Sequence, residues 1–289
     1  MGEAIASIPR KGGHPRVTGR WRWHALLKKP LFGRFMKTWR WPNGVPRDGW
    51  QAARIPSDSH ASLVALLRES MASPVRGVVV CAHPMGLAAK GFWLRNGHAD
   101  ALLAEGFHVV VFDFNGFGET PSTNFDYTAD VLAVGRWAQS RFPGLPVHAL
   151  TASFGAMNTI SAMSLPGFPY QRVVAEGCAH SLPAFWKAYP FAYAMLELMR
   201  RVTPERERRL RPELQVSRMP AHCSLLLIHS RADAWTPVEN GDRIAAAAPP
   251  GARVERLILQ RAEHTHGMRD ERDAYWPAVR RFLISAEVS

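Results

Sequence analysis

Residues 148–163 read HALTASFGAMNTISAM. An apolar run ends on Thr151-Ala152-Ser153, and after Phe154-Gly155 the spacing of apolar residues turns helical. A serine between a strand and a helix has two readings. It can cap the helix, its hydroxyl accepting from one of the unpaired N–H groups of the first turn. It can also be a nucleophile held out on a sharp turn. The window leaves both open, and the rest of the chain has to separate them.

From residue 76 one pattern repeats. Short runs rich in β-branched residues occupy RGVVVCAHP (76–84), FHVVVFDF (107–114), PVHALTAS (146–153), RVVAEGCA (172–179), CSLLLIHS (223–230) and RVERLILQ (253–260), each followed by a longer helical stretch. The runs are almost continuously apolar, as strands buried on both faces of a parallel sheet are. This alternation predicts an α/β fold, a mostly parallel central sheet flanked by helices. Ahead of it, WQAARIPSDSHASLVALLRES (50–70) reads as a hairpin around a polar Ser-Asp-Ser-His turn.

The spacing is uneven in one place. More than 40 residues separate the patterns that end near Ala179 and begin near Cys223, more than a single crossover helix requires. LPAFWKAYPFAYAMLELMRRVTPERERRLRPELQ (182–215) has helical periodicity, first aromatic and apolar, then dense in Arg and Glu. It predicts a helical cap inserted over the C-terminal edge of the sheet. The division is a basic arm at 1–49, a core at 50–179 and 222–289, and a cap at 180–221. The cap's Arg200, Arg201, Arg206, Arg208, Arg209 and Arg211 read as a solvated face alternating with Glu205 and Glu207.

Charge is concentrated at one end. The chain of 289 residues carries a formal +12, and its first 50 residues hold eleven Lys and Arg against Glu3 and Asp48. That arm interleaves Trp21, Trp23, Trp39 and Trp41 with cations, and carries Leu26, Leu27, Leu31, Phe32 and Phe35 between them. The leading reading packs its aromatics on the main domain with the cations in water. An anionic membrane surface comes second, and nonspecific nucleic-acid binding last. Pro30 bars one long helix through the arm. No signal-peptide pattern precedes the core, and no apolar run approaches the ~20 residues that span a bilayer.

Cys81, Cys178 and Cys223 lie far apart with no CxxC, which argues against zinc sites or a disulfide scaffold and for a reducing, cytoplasmic compartment, with the arm peripheral to a membrane on its second reading. No His/Cys cluster has metal-ligand spacing. FNGFG (114–118) opens no GxGxxG helix. Neither a metal nor an organic cofactor is expected.

A serine becomes a useful nucleophile only beside a base that a carboxylate holds in place. LLLIHSRADAWTPVE (225–239) puts Asp233 in the loop after a strand, 80 residues beyond Ser153. RLILQRAEHTHGM (256–268) puts His264 just past the final strand, 31 residues later. All three follow strand ends, where open α/β sheets gather their functional groups. Asp233 competes with a plain helix-capping role ahead of TPV, with Glu176 as reserve acid. His266 competes with His264 from the same loop, and His229, inside a strand end, reads as a satisfied buried histidine.

TASFGA (151–156), the order Ser153…Asp233…His264, FDFNGFGETP (112–121) and AHPMG (82–86) together resemble the α/β-hydrolase family, from about residue 50 to the end. The resemblance makes TASFGA the G-x-S-x-G nucleophile elbow, with Thr151 at the first glycine position. It makes FDFNGFGETP the turn D-x-x-G-x-G-x-S, with Thr120 last, and AHPMG the oxyanion loop, with Pro84 in place of glycine. It implies an oxyanion hole built from the backbone N–H groups of Met85 and Phe154, and a structural role for His83 in that loop. The expected activity is a serine hydrolase acting on an ester or thioester of an apolar acyl or aromatic group, a small-molecule acyl substrate. A peptidase or amidase and an acyltransferase are the alternatives within the fold. A non-catalytic ligand-binding module is the alternative outside enzymes.

Overall fold

A computed structural model describes residues 22–188 and 190–285, in two units, one up to Ala149 and one from Leu150. The first unit runs α1 (Arg22–Phe32), β1 (Gln51–Pro56), β2 (Ser62–Arg68), β3 (Gly77–Ala82), α2 (Gly91–Arg95), α3 (His98–Ala104), β4 (Phe107–Phe112) and α4 (Tyr127–Arg141). Its strands lie in the order β1-β2-β4-β3. The expected hairpin is present, β1 antiparallel to β2 with Ala53 opposite Ala65. β3 and β4 are parallel, with Val79 opposite Val109, and every residue of both strands is buried. That two-sided burial is why their sequences are unbroken apolar runs rather than alternating ones.

The segment after β4 is a turn fixed by its own carboxylate. Asp113 accepts from the N–H of Lys90 (3.0 Å) and of Glu119 (2.9 Å), and pairs with the Lys90 ammonium. Gly118 sits at φ +52°, and a Cβ there would lie 2.3 Å from Asp113 Oδ2, so only glycine fits. The Thr120 hydroxyl donates to the Asp113 carbonyl (2.9 Å) and accepts from the Val64 N–H (2.8 Å). His83, just past β3, is buried. Its Nδ1 meets the Pro84 carbonyl at 2.8 Å, and its Nε2 accepts from the Phe114 N–H at 3.3 Å. Burial pushes its pKa down, which keeps the ring neutral and fit for that pair of bonds.

The arm divides. Trp39 is buried; its indole N–H donates to Glu119 at 2.6 Å, and the Lys90 ammonium lies 4.4 Å from its ring centroid. Phe32 is buried edge-on to Phe117 and Tyr127. These two aromatics follow the leading expectation, whereas Trp23 is exposed. Trp21 lies outside the described residues. Pro30 does not keep its neighbours out of a helix, because it falls in the last turn of α1, which ends two residues later.

The chain passes through β5 (Val147–Ala152) into the second unit: α5 (Phe154–Ala162), β6 (Arg172–Glu176), α6 (Leu182–Phe185), α7 (Pro190–Val202), α8 (Pro204–Arg208), α9 (Pro212–Gln215), β7 (Ser224–Ser230), α10 (Val238–Ala246), β8 (Val254–Leu259), α11 (Gly267–Asp270) and α12 (Arg272–Ile284). The order is β5-β6-β7-β8, with β6, β7 and β8 parallel: Ala175 faces Leu227, and Ile228 faces Leu257. The long gap between β6 and β7 holds helices α6 to α9 and two short 3-10 turns. All three cysteines are free and buried, and burial pushes their thiols up. Among the described residues no helix is long and apolar enough to cross a membrane.

Candidate active site

Ser153 stands between β5 and α5 with φ +48° and ψ −110°. Non-glycine residues enter that region at a cost of about 1–3 kcal/mol, and they cluster at functional sites. Ser153 occupies the N-cap position of α5, yet its side chain makes no capping bond. Its Oγ instead lies 2.8 Å from His264 Nε2. The question raised by the sequence is thereby answered in geometric terms: the hydroxyl faces an imidazole, not the helix. The backbone holds the turn, with the Ser153 N–H donating to the Glu176 carbonyl (2.8 Å) and the Ser153 carbonyl accepting from Met157 (2.9 Å). Thr151 fits the place of a glycine because its buried hydroxyl donates to the Val174 carbonyl at 2.7 Å.

His264 continues the chain of bonds, its Nδ1 lying 2.7 Å from Asp233 Oδ2. The network assigns the proton to Nδ1, facing the carboxylate, and leaves Nε2 to accept from Ser153. Asp233 is buried in the loop after β7. Its Oδ1 accepts from the N–H groups of Trp235 (2.8 Å) and Thr236 (3.0 Å), and its Oδ2 from the Thr236 hydroxyl (2.6 Å). Burial works to raise its pKa, but the bonds from His264 and Thr236 and the charge of His264 prevail, and the carboxyl is held down at about 2. Asp233 therefore organises its own turn but does not cap a helix, since α10 begins only at Val238 with Pro237 at its N-cap. It holds His264 with the oxygen that the two N–H groups leave available.

The competing residues are placed elsewhere. Glu176 directs Oε1 to the Gly267 N–H at 2.8 Å and is not the carboxylate on His264. Burial pushes its pKa up to about 7. His266 Nδ1 lies 3.5 Å from Glu263. His229 is buried with Nε2 at 2.9 Å from the Cys178 carbonyl, but its Nδ1 finds no partner among the described residues. The expectation of a fully satisfied histidine is thus corrected: the ring is half satisfied, because Nδ1 faces the Cα of Gly241, where a Cβ would come within 2.7 Å. Burial pushes its pKa down to about 4, so the ring stays neutral. Met85 lies in the first unit, three residues past β3, and Phe154 opens α5 in the second. Their pairing as oxyanion donors rests on the sequence resemblance.

Several residues that the sequence did not single out belong to the site. Thr236 donates to Asp233, and its Oγ1 is 3.2 Å from His264 Nδ1. Gly177 sits at φ +60°, and a Cβ there would lie 3.0 Å from His264 Cε1. Phe185, on α6, stacks on Trp235 with centroids 5.9 Å apart, and lies 6.4 Å from the His264 ring. Thr236 had a local signal, since Asp-x-x-Thr is a spacing at which an Asp carboxylate can accept from the downstream backbone. Gly177 and Phe185 had none, because their contacts are made across the fold. Among the described residues, no group of three or more His, Cys, Asp and Glu could hold a metal ion.

Comparison with known proteins gives two findings. The profile of a family described as serine aminopeptidase, S33, matches residues 73–225, just over half of the chain. Solved structures share the fold at low identity. An esterase of Pyrococcus furiosus superposes with a TM-score of 0.66 at 19% identity, over 85% of this chain and 94% of its own. A monoacylglycerol lipase of Paleococcus ferrophilus gives 0.57 at 19%, over 76% and 98%. A meta-cleavage product hydrolase of Pseudomonas fluorescens gives 0.58 at 17%, over 80% and 96%. No curated protein matches the sequence significantly.

Proposed function

The chain belongs to the serine aminopeptidase S33 family of α/β hydrolases, and from that premise we propose that it is a serine hydrolase of esters or thioesters with an apolar acyl or aromatic group. The observation that carries the proposal is the unbroken line Ser153 Oγ–His264 Nε2, His264 Nδ1–Asp233 Oδ2, at 2.8 and 2.7 Å. Those are the distances that proton transfer and imidazole orientation require.

In this reading Ser153 Oγ attacks the substrate carbonyl carbon as its proton passes to His264 Nε2. Asp233, ionised because its carboxyl is held down at about 2, keeps the ring in the useful tautomer and stabilises the imidazolium. The oxyanion is received by the Phe154 N–H at the start of α5 and, by the sequence resemblance, by that of Met85. Each such donor is typically worth roughly 2.7–4 kcal/mol. The tetrahedral adduct collapses, and the alcohol or thiol leaves with the proton from His264. Water then repeats the sequence on the acyl-enzyme. The Phe185–Trp235 stack beside His264 supports an apolar acyl or aromatic group, and segment 180–221 serves as the cap that supplies Phe185.

The test is hydrolysis of a chain-length series of p-nitrophenyl esters and acyl thioesters by the wild type and by Ser153→Ala. The variant is expected to lose at least about 10⁴-fold in kcat with its melting transition intact. Turnover confined to aminoacyl arylamides would move the assignment to a peptidase. Silence on every substrate, together with no fluorophosphonate labelling of Ser153, would make the protein a binding module.

A further inference from the structure

Helix α1 is built inside out. At 100° per residue, Trp23, Leu26 and Leu27 share one stripe of its surface. All three are in water, with exposures of 74%, 50% and 63%. The opposite side is docked within the first unit. Lys28 is fully buried: its ammonium donates to Asn115 and lies 4.9 Å from the Tyr127 ring centroid and 5.5 Å from that of Phe125. Phe32, one turn on, is buried against Phe117 and Tyr127. A lysine is thus turned inward and held, and three of the largest apolar side chains are turned out. Packing on the fold does not explain that arrangement. An exposed apolar stripe on an anchored helix marks a contact with something else.

The surrounding charge says what. Arg22 and Lys29 flank the stripe, and Arg34, Lys37, Arg40 and Arg47 follow, all exposed; Asp48 is the only acidic residue between 22 and 50. A second copy docking through the same stripe would bring like charges together. A nucleic acid would use the cations and leave Leu26 and Leu27 without a role. A bilayer surface carrying anionic lipid satisfies both features at once. An indole and two leucines enter the boundary between headgroups and acyl chains, and the cations meet the phosphates.

We propose that α1 is a membrane-surface helix, which docks this protein on anionic bilayers by burying Trp23, Leu26 and Leu27 in the interface. The contact is independent of the triad and stands whether or not the hydrolase reading does.

The test is co-sedimentation of the full chain with vesicles of phosphatidylcholine, alone or with phosphatidylglycerol added. A Trp23→Ser/Leu26→Ser/Leu27→Ser variant is run alongside. Partitioning is expected to be at least about tenfold stronger onto the anionic vesicles, and to weaken as salt is raised toward 1 M. The triple variant is expected to lose about tenfold or more of it. Its melting transition, and any turnover of a water-soluble short-chain ester, should stay at the wild-type level, because the altered side chains are solvent-exposed. Absence of binding to anionic vesicles overturns the proposal, as does equal binding by the triple variant. Concentration-dependent self-association that the triple variant abolishes overturns it as well, assigning the stripe to a second copy.

Discussion

Glu176 takes no part in the bond-making proposed above, yet it braces both the Ser153 turn and the loop that carries His264. Its carbonyl accepts the Ser153 N–H, its carboxyl holds the Gly267 N–H three residues past His264, and the residue after it, Gly177, lies against the His264 ring. Burial pushes its pKa up to about 7, while Gly267, Tyr275 and His264 act to lower it and Asp233 to raise it further; His229 lines the same small cavity. Near neutral pH, Glu176 therefore gains a negative charge beside the Asp233–His264 pair. The wild-type profile of kcat/KM against pH is expected to contain an ionisation near 7 that is missing in Glu176→Gln, a variant that keeps the oxygen facing Gly267. Superimposable profiles would remove Glu176 from any electrostatic role. At this scale the sequence was informative where a residue ends an apolar run or closely follows one, as Ser153, Asp233 and His264 do. Glu176 lies inside such a run, and what its carboxyl contacts lies 91 residues away at Gly267, where no spacing rule reaches.

Among the elements, strands were the most legible. Each of the six apolar runs from residue 76 onward contains a strand, because burial on both faces leaves a plain compositional mark. The helices between β6 and β7 were legible as helical, but not as four pieces of which three are short; α8 and α9 both start on a proline, the residue that also stops what precedes it. Helix α1 was hidden for a different reason. A Lys at its buried centre contradicts the ordinary amphipathic pattern, and only Asn115 and the rings of Phe125 and Tyr127 explain it. Burial lowers the Lys28 pKa to about 7, against a raising influence from Asp130. The undocked lysine binds its proton up to about 10.5 and the docked one only to about 7. Between those values the undocked state holds more protons, so docking strengthens as pH rises and is weakest below 7. Hydrogen exchange of the α1 amides is expected to show greater protection at pH 9 than at pH 6 after correction for the intrinsic rate, and Lys28→Ala to lose protection at both. A pH-independent result in the wild type would show that docking does not lower the Lys28 pKa.

For the molecule as a whole, two carboxyls of the site pull stability in opposite directions along the pH axis. Asp233 is held at about 2 against an ordinary 3.8, so its contribution is present above about 4 and is lost as pH falls through that window. Glu176 is raised from 4.5 to about 7. Between those values the folded chain binds more protons than the unfolded one, so stability declines as pH rises from 4.5 to 7, by a few kcal/mol at most. Glu176→Gln removes that decline, and is expected to melt above the wild type at pH 8 while matching or falling below it at pH 4.5. A constant difference in melting temperature across that range would show that the carboxyl does not titrate in the fold. The sheet order β1-β2-β4-β3 and β5-β6-β7-β8 could not be read from the sequence beyond its hairpin, since which strands become neighbours depends on crossovers that leave no local mark.

The burial of Cys81, Cys178 and Cys223 also decides how the folded protein meets electrophiles. A thiol must ionise to react, and each of these is both enclosed and pushed up by burial. Alkylating reagents aimed at cysteine should therefore leave the native chain unmarked, and report unfolding when they do react. On the proposed reading a phosphonate directed at serine marks Ser153, so the two reagents together would separate a folded chain whose serine is blocked from one that is denatured.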